Sequence, residues 1–110
     1  MGRSKGQNYE TALVIPVQFR AAANHDIAEA VNWYESQRPG LGARFFEDLD
    51  HVLSRIEESR EQFPLMYRNA YRALLRRFPF GIFFTKYEDR TLVLAVTDLR
   101  REPNKWRSRI

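Results

Sequence analysis

The chain contains no cysteine. That excludes a disulfide framework and a thiolate zinc site, and it fits a reducing, cytoplasmic setting. Only two histidines, His25 and His51, occur in 110 residues, so few side chains can move a proton near neutral pH. The acidic pairs lack the histidine spacing of a metal site, and neither metal nor cofactor is expected. No apolar run approaches the roughly 20 residues of a membrane span, so no membrane partner is expected. The opening Met-Gly-Arg-Ser-Lys-Gly-Gln is basic but has no apolar stretch behind it and does not read as a secretory leader. There are no internal repeats and no low-complexity tract. The length is that of one domain with a modest core.

What is present is organised around Tyr71 to Asp98. Three short runs rich in β-branched and aromatic residues are separated by Phe78-Pro79 and by Glu88-Asp89-Arg90. This pattern predicts an antiparallel meander. In Tyr71–Arg77, alternation places Tyr71, Ala73, Leu75 and Arg77 on one face and Arg72, Leu74 and Arg76 on the other. Phe80, Ile82 and Phe84 should share one face of the next strand, with Gly81, Phe83, Thr85 and Tyr87 opposite. Leu92–Val96 is continuously apolar, as in a covered central strand.

Ahead of the meander, Leu13–Phe19 reads as a short strand. Pro16 cannot donate to a ladder, so the strand lies at an edge or begins after the proline. Residues 1–12 are polar and aperiodic, which predicts a frayed tail before a single domain at 13–110. Ile27, Ala30, Val31 and Tyr34 give a helical stripe, with Asn24 as the expected N-cap and Asp26 and Glu29 in the first turns. Trp33 falls off that stripe. Arg38 sits in the last turn, and Pro39-Gly40 ends the helix. A second helix should run to about Arg60 on Phe45, Phe46, Leu49, Val52, Leu53 and Ile56, with Glu47, Asp48, Asp50, Glu57 and Glu58 mostly towards solvent. The expected fold is α+β, a helical hairpin on a mainly antiparallel four-stranded sheet in the order β-α-α-β-β-β.

Charge is unevenly placed. Residues 1–65 hold 7 Lys/Arg and 10 Asp/Glu, whereas residues 66–110 hold 11 and 4. A basic sheet half points to a polyanion or an acidic protein segment as partner. Arg68, Arg72, Arg76, Arg77, Arg100 and Arg101 are candidates for a concave phosphate-binding face, because guanidinium binds phosphate bidentately, but alternation sets Arg77 opposite Arg72 and Arg76, so not all of them can serve one site. RNA cleavage without a metal would also need a general acid and base. The two histidines are expected away from the arginines, and Tyr67, Tyr71, Tyr87 and Glu88 are weak substitutes. Trp106 can cap the core with its ring, and Trp33 suits an interface. A sheet edge or the helical hairpin could also receive a partner segment.

An ordered series of short motifs carries a resemblance. Asp26-Ile27-Ala28-Glu29-Ala30, Trp33-Tyr34-Glu35, Arg38-Pro39-Gly40-Leu41-Gly42, Arg44-Phe45, Phe63-Pro64, Arg77-Phe78-Pro79-Phe80 and Arg101-Glu102-Pro103 with Trp106 resemble the RelE/ParE superfamily of type II toxin–antitoxin toxins. The likeness runs from about Val17 to Arg107, and its flavour is that of the ParE-like, plasmid-stabilisation branch. It implies a cytoplasmic toxin, a cognate antitoxin as partner in a hetero-oligomer, and either DNA gyrase or ribosome-bound mRNA as target. RelE-like members are mRNA endonucleases with basic strand residues and a C-terminal Tyr or His. The basic positions map here to Arg72, to Arg76 or Arg77, and to Arg100 and Arg101. Asp98-Leu99 stands where many relatives have histidine, and no Tyr or His follows Tyr87. The resemblance therefore favours gyrase-directed growth inhibition, with an mRNA interferase or a non-toxic binding module as alternatives. The expected target-binding residues are Arg76, Arg100, Arg101, Trp106 and Arg107. Trp33 and Tyr34 are expected to meet the antitoxin.

Overall fold

The computed structural model describes residues 14–110; the expected tail at 1–12, and Leu13, lie outside the described residues. Strand β1 (Val17–Phe19) leads into helix α1 (Ala21–Gln37) and helix α2 (Leu41–Ser59), which ends in a short 3₁₀ turn at Arg60–Gln62. Strands β2 (Leu65–Tyr67), β3 (Ala70–Leu74), β4 (Phe80–Lys86) and β5 (Thr91–Asp98) follow, and a second 3₁₀ turn spans Lys105–Arg109. The sheet has five strands in the order β1-β5-β4-β3-β2. Only the β1–β5 pair is parallel. The α+β class and the helical hairpin are as expected, with one strand more than the sequence suggested. That strand, β2, is three residues long with two exposed apolar side chains, a pattern without the alternation that marks a strand in sequence.

Helix α1 begins three residues before the expected cap. Arg20 is the N-cap, with no side-chain capping bond, and Asn24 lies inside the helix, exposed. Asp26 is buried rather than serving the first turn. Arg38 is the extended C-cap rather than a residue of the last turn.

The Pro39-Gly40-Leu41-Gly42 connector has a specific physical basis. Gly40 adopts φ +91°, where a side chain is strained. A Cβ on Gly42 would lie 2.7 Å from the Val31 carbonyl oxygen. The Glu35 carboxylate, on the last turn of α1, accepts from Gly40 N at 3.0 Å and from Gly42 N at 3.0 Å. One carboxylate thus satisfies amide groups at the start of α2, where a helix has unmatched donors and a positive dipole end. Glu35 and the glycine pair therefore work as one turn.

Phe45, Leu49, Val52 and Ile56 of α2 are fully buried against Ile82, Phe84 and Val93 of the sheet. Phe46 is exposed instead of joining them. Tyr34, Phe45, Phe78 and Phe80 form an aromatic knot, with Tyr34–Phe78 centroids at 4.8 Å and Phe45–Phe80 at 4.9 Å. The other sheet face has its own small core, in which Trp106 stacks on Phe83 at 4.2 Å and 10°. A bulge explains how β5 serves both faces. Phe83 pairs with Ala95 and Phe84 with Val93, so Leu94 has no partner, and Leu94 and Ala95 both join the Trp106 side.

Asp48 corrects the expected solvent face of α2. It is buried and accepts from Arg76 N at 3.1 Å and Arg77 N at 2.7 Å. These bonds turn the chain out of β3, so the strand stops at Leu74 rather than Arg77. Among the described residues no helix is long and apolar enough to cross a membrane.

Candidate functional site

The fold divides the expected arginine face into three separate places. The first is the sheet face away from the helices. Arg72 pairs with Phe83 across β3–β4, and directly opposed residues share a face. Phe83 lies under Trp106, and Tyr67 meets Trp106 edge-on at 5.9 Å. Arg68 and Arg107 both lie over the Tyr67 ring, at 5.1 and 5.0 Å. Arg68, Arg72 and Arg107 pair with no carboxylate among the described residues. Arg68 holds φ +52° in the β2–β3 turn, a conformation that is unfavourable for a side chain with a Cβ. The buried Nε of Arg72 has no partner. Arg68 and Arg107 thus flank an aromatic platform, with Arg72 on the same sheet face, and none of the three has a carboxylate partner among the described residues.

The second place is the β3–β4 turn against α2. The Arg76 Nη1 lies 3.0 Å from His51 Nε2. A guanidinium only donates, so Nε2 is the acceptor in this contact. The sequence reading had separated the histidines from the arginines. It failed here because Asp48, one helical turn before His51, draws the Arg76–Arg77 turn onto α2. His25 conforms to that reading and pairs with Glu29 on the α1 surface at 3.3 Å.

The third place is a groove of about 580 Å³ between α1, the end of β5 and the turn that follows it. Trp33 is half-exposed on its wall, and the Arg101 guanidinium lies 5.8 Å from the centre of its ring. Tyr34 is almost wholly buried beside it. Burial pushes the Tyr34 phenol above its ordinary pKa, and the Asp98 carboxylate adds to the rise against the pull of Arg100 and Arg101. Arg100 is pinned by its backbone amide, which donates to Asp98 Oδ1 at 2.9 Å.

The expected target residues are therefore not one surface. Arg107 shares a sheet face with Arg68 and Arg72, Arg76 joins His51, Arg101 lines the groove, and Arg100 pairs with Asp98 at its rim at 3.7 Å. Trp106 is 4% exposed and donates its indole N–H to the Pro103 carbonyl at 2.8 Å; it is the core cap that the sequence offered as its plainer role. Arg77 contributes its amide to Asp48. Sequence reasoning missed Tyr67 as a platform and the pair of Asp26 with Arg109. That pair joins residues 83 positions apart, with Nη2–Oδ1 at 3.0 Å, and nothing local announces it.

No protein-family model and no curated protein matches the sequence. A solved structure does match in fold. It is described as the chromosomal ParDE TA system from P. aeruginosa, and a chain of it superposes with a TM-score of 0.69 at 15% identity. The match covers 77% of this chain and 96% of that chain. The chain has a ParE-like fold. This ParE-like fold carries the helical hairpin on one sheet face, and among the described residues the C-terminal turn is what covers the Tyr67–Trp106 face. Both the arginine cluster and the groove are built where its C-terminal segment folds back on the sheet.

Proposed function

We propose that the chain is the toxin of a type II toxin–antitoxin pair. It inhibits growth through DNA gyrase, in a ParE-like manner, and its antitoxin neutralises it by covering the groove at Trp33 and Tyr34. The observation that carries this reading is the ParE-like fold, combined with an arginine face that has no histidine in it. Such a face holds an anionic partner but lacks the proton-transfer pair that RNA cleavage needs. The setting is the cytoplasm.

One contact favours a second reading, that of an mRNA endonuclease. His51 and Arg76 are the single place among the described residues where an imidazole meets an arginine. There a phosphate would draw Arg76 away and free Nε2 to accept the 2′-OH proton. Arg76 and Arg77 would then form the clamp, in place of the sheet-face arginines.

Induced expression in a bacterial host separates the readings. Growth arrest with DNA breaks and intact mRNA, relieved by a co-expressed antitoxin, is the expected result. Arrest with fragmented mRNA that disappears in His51→Ala would replace it with the second reading. Unimpaired growth would remove the toxin assignment and leave a binding module.

A further inference from the structure

The outer face of the sheet carries charge that the fold leaves unpaired. Arg68, Arg72 and Arg107 lie on it, and none of them enters an ion pair with a described residue. The acids of the neighbouring groove are taken, Asp26 by Arg109, Asp98 by Arg100 and Glu102 by Lys105. Like charges on one face repel one another, and an anion laid across them removes that cost.

Arg68 is also held at a backbone cost. Tyr67 pairs with Ala70, so Arg68 and Asn69 form a two-residue turn, and Arg68 takes φ +52° there. Glycine adopts that angle freely, whereas a residue with a Cβ is disfavoured. The turn keeps an arginine all the same and sets its guanidinium over the Tyr67 ring, where Arg107 lies as well. Backbone strain of this kind clusters where a side chain serves binding.

The chemistry around these arginines is that of a peptide site. Leu74 stands two residues beyond Arg72 on β3, so both side chains point to the same face, and Leu74 is 50% exposed. The aromatic rings, by contrast, are occupied. Trp106 is stacked on Phe83 and buried, and Tyr67 lies under the two guanidinium groups. A single nucleic-acid strand binds by stacking its bases on open rings, and it would leave Leu74 uncovered.

We propose that this face docks an acidic segment of a partner protein, in which glutamate or aspartate side chains alternate with apolar ones. The carboxylates lie against Arg68, Arg72 and Arg107, and an apolar side chain covers Leu74. This gives the anionic partner of the arginine face its chemistry, and to that extent it rests on the proposed function. Peptide binding by purified protein and growth arrest in cells fail separately, so the two are told apart.

The test is fluorescence anisotropy with three labelled probes. They are a short peptide of alternating glutamate and leucine, the same peptide with lysine for glutamate, and a single-stranded oligonucleotide of similar length. The acidic peptide should bind at least about tenfold tighter than either of the others. Arg68→Gly, Arg107→Gln and Leu74→Ser should each weaken it by about fivefold, as loss of one charge-assisted or apolar contact would. Arg44→Gln, an exposed change on α2, removes the same charge elsewhere and should leave affinity within about twofold. Arg68→Gly should also melt no lower than wild type, because glycine relieves the turn. Oligonucleotide binding as tight as that of the acidic peptide overturns the proposal in favour of a nucleic-acid face. An equal loss in Arg44→Gln, indifference to all three face variants, or no acidic-peptide binding up to about 1 mM overturns it too. A clear drop in the melting point of Arg68→Gly would show that the arginine serves the fold, and would remove the strain argument and the proposal with it.

Discussion

Removal of the Asp26 carboxylate should unfasten one end of the sheet. Strand β5 is accompanied by β1 only from Thr91 to Val93. Beyond that point no strand among the described residues lies beside its outer edge, and side chains take over. Asp26 Oδ2 accepts from Val96 N at 2.9 Å, and Arg109 Nη1 donates to the Leu94 carbonyl at 3.2 Å. The two side chains then grip each other, Nη1 to Oδ2 and Nη2 to Oδ1. That carboxylate bond holds the Arg109 guanidinium above its ordinary pKa, burial opposing. Asp26→Ala would leave the Val96 amide buried without an acceptor and Arg109, 19% exposed in its side chain, without its counter-charge. The expected loss is about 3–4 kcal/mol. Asp26→Asn keeps an acceptor for Val96 and removes the charge, so about 1–2 kcal/mol is expected. At about 4 °C per kcal/mol for a domain of this size, both are measurable by thermal melts. The assay is urea unfolding of wild type, Asp26→Asn, Arg109→Ala and the double variant. The cycle should give a coupling of about 1.5 kcal/mol or more, because the second change finds its partner already gone. Additivity to within about 0.5 kcal/mol would refute the idea that the pair closes the β5 edge.

Other outcomes follow from the same geometry. Gly42→Ala places a methyl against the Val31 carbonyl, which belongs to helix backbone and cannot swing aside; a loss of about 1–3 kcal/mol in urea unfolding is expected, and wild-type stability would refute the close approach. Asp48→Ala strands two amides of the β3–β4 turn and should destabilise by about 2 kcal/mol, with faster amide exchange at Arg76 and Arg77 than elsewhere in the domain. The Tyr34 phenol is raised in the fold, so its contribution is complete below the unfolded value near 10 and is lost as pH climbs through the folded value. Alkaline titration of phenolate absorbance should show a late step, above the ordinary tyrosine value, that belongs to Tyr34. Tyr34→Phe should abolish that late step and soften the fall in stability above about pH 10; an unchanged titration would show that Tyr34 is not the late group.

The local pattern of the chain carried much of the fold. Helical stripes on Ile27–Tyr34 and Phe45–Ile56, the alternation of Phe80, Ile82 and Phe84 against Phe83, and the turn chemistry at Pro39-Gly40 and Phe78-Pro79 are short-range signals, because side-chain direction follows directly from helix or strand geometry. They suffice for an α-hairpin on an antiparallel meander. Strand β2 escaped them, since three residues with two exposed apolar side chains cannot alternate visibly.

The site was legible in residue type and not in arrangement. Composition alone placed the arginines in the sheet half. Which of them meet was decided by contacts between residues far apart in the chain. Asp48 pulls the Arg76–Arg77 turn to His51, a bulge at Leu94 sends two neighbours to one face, and Asp26 fastens Arg109 across 83 positions. A buried carboxylate must find donors wherever the folded chain supplies them, and the sequence does not say where that will be. The sequence by itself thus set the elements and their charge. The tertiary structure alone decided that the charge would be divided between an arginine face, a histidine contact and a groove whose acids are paired across it.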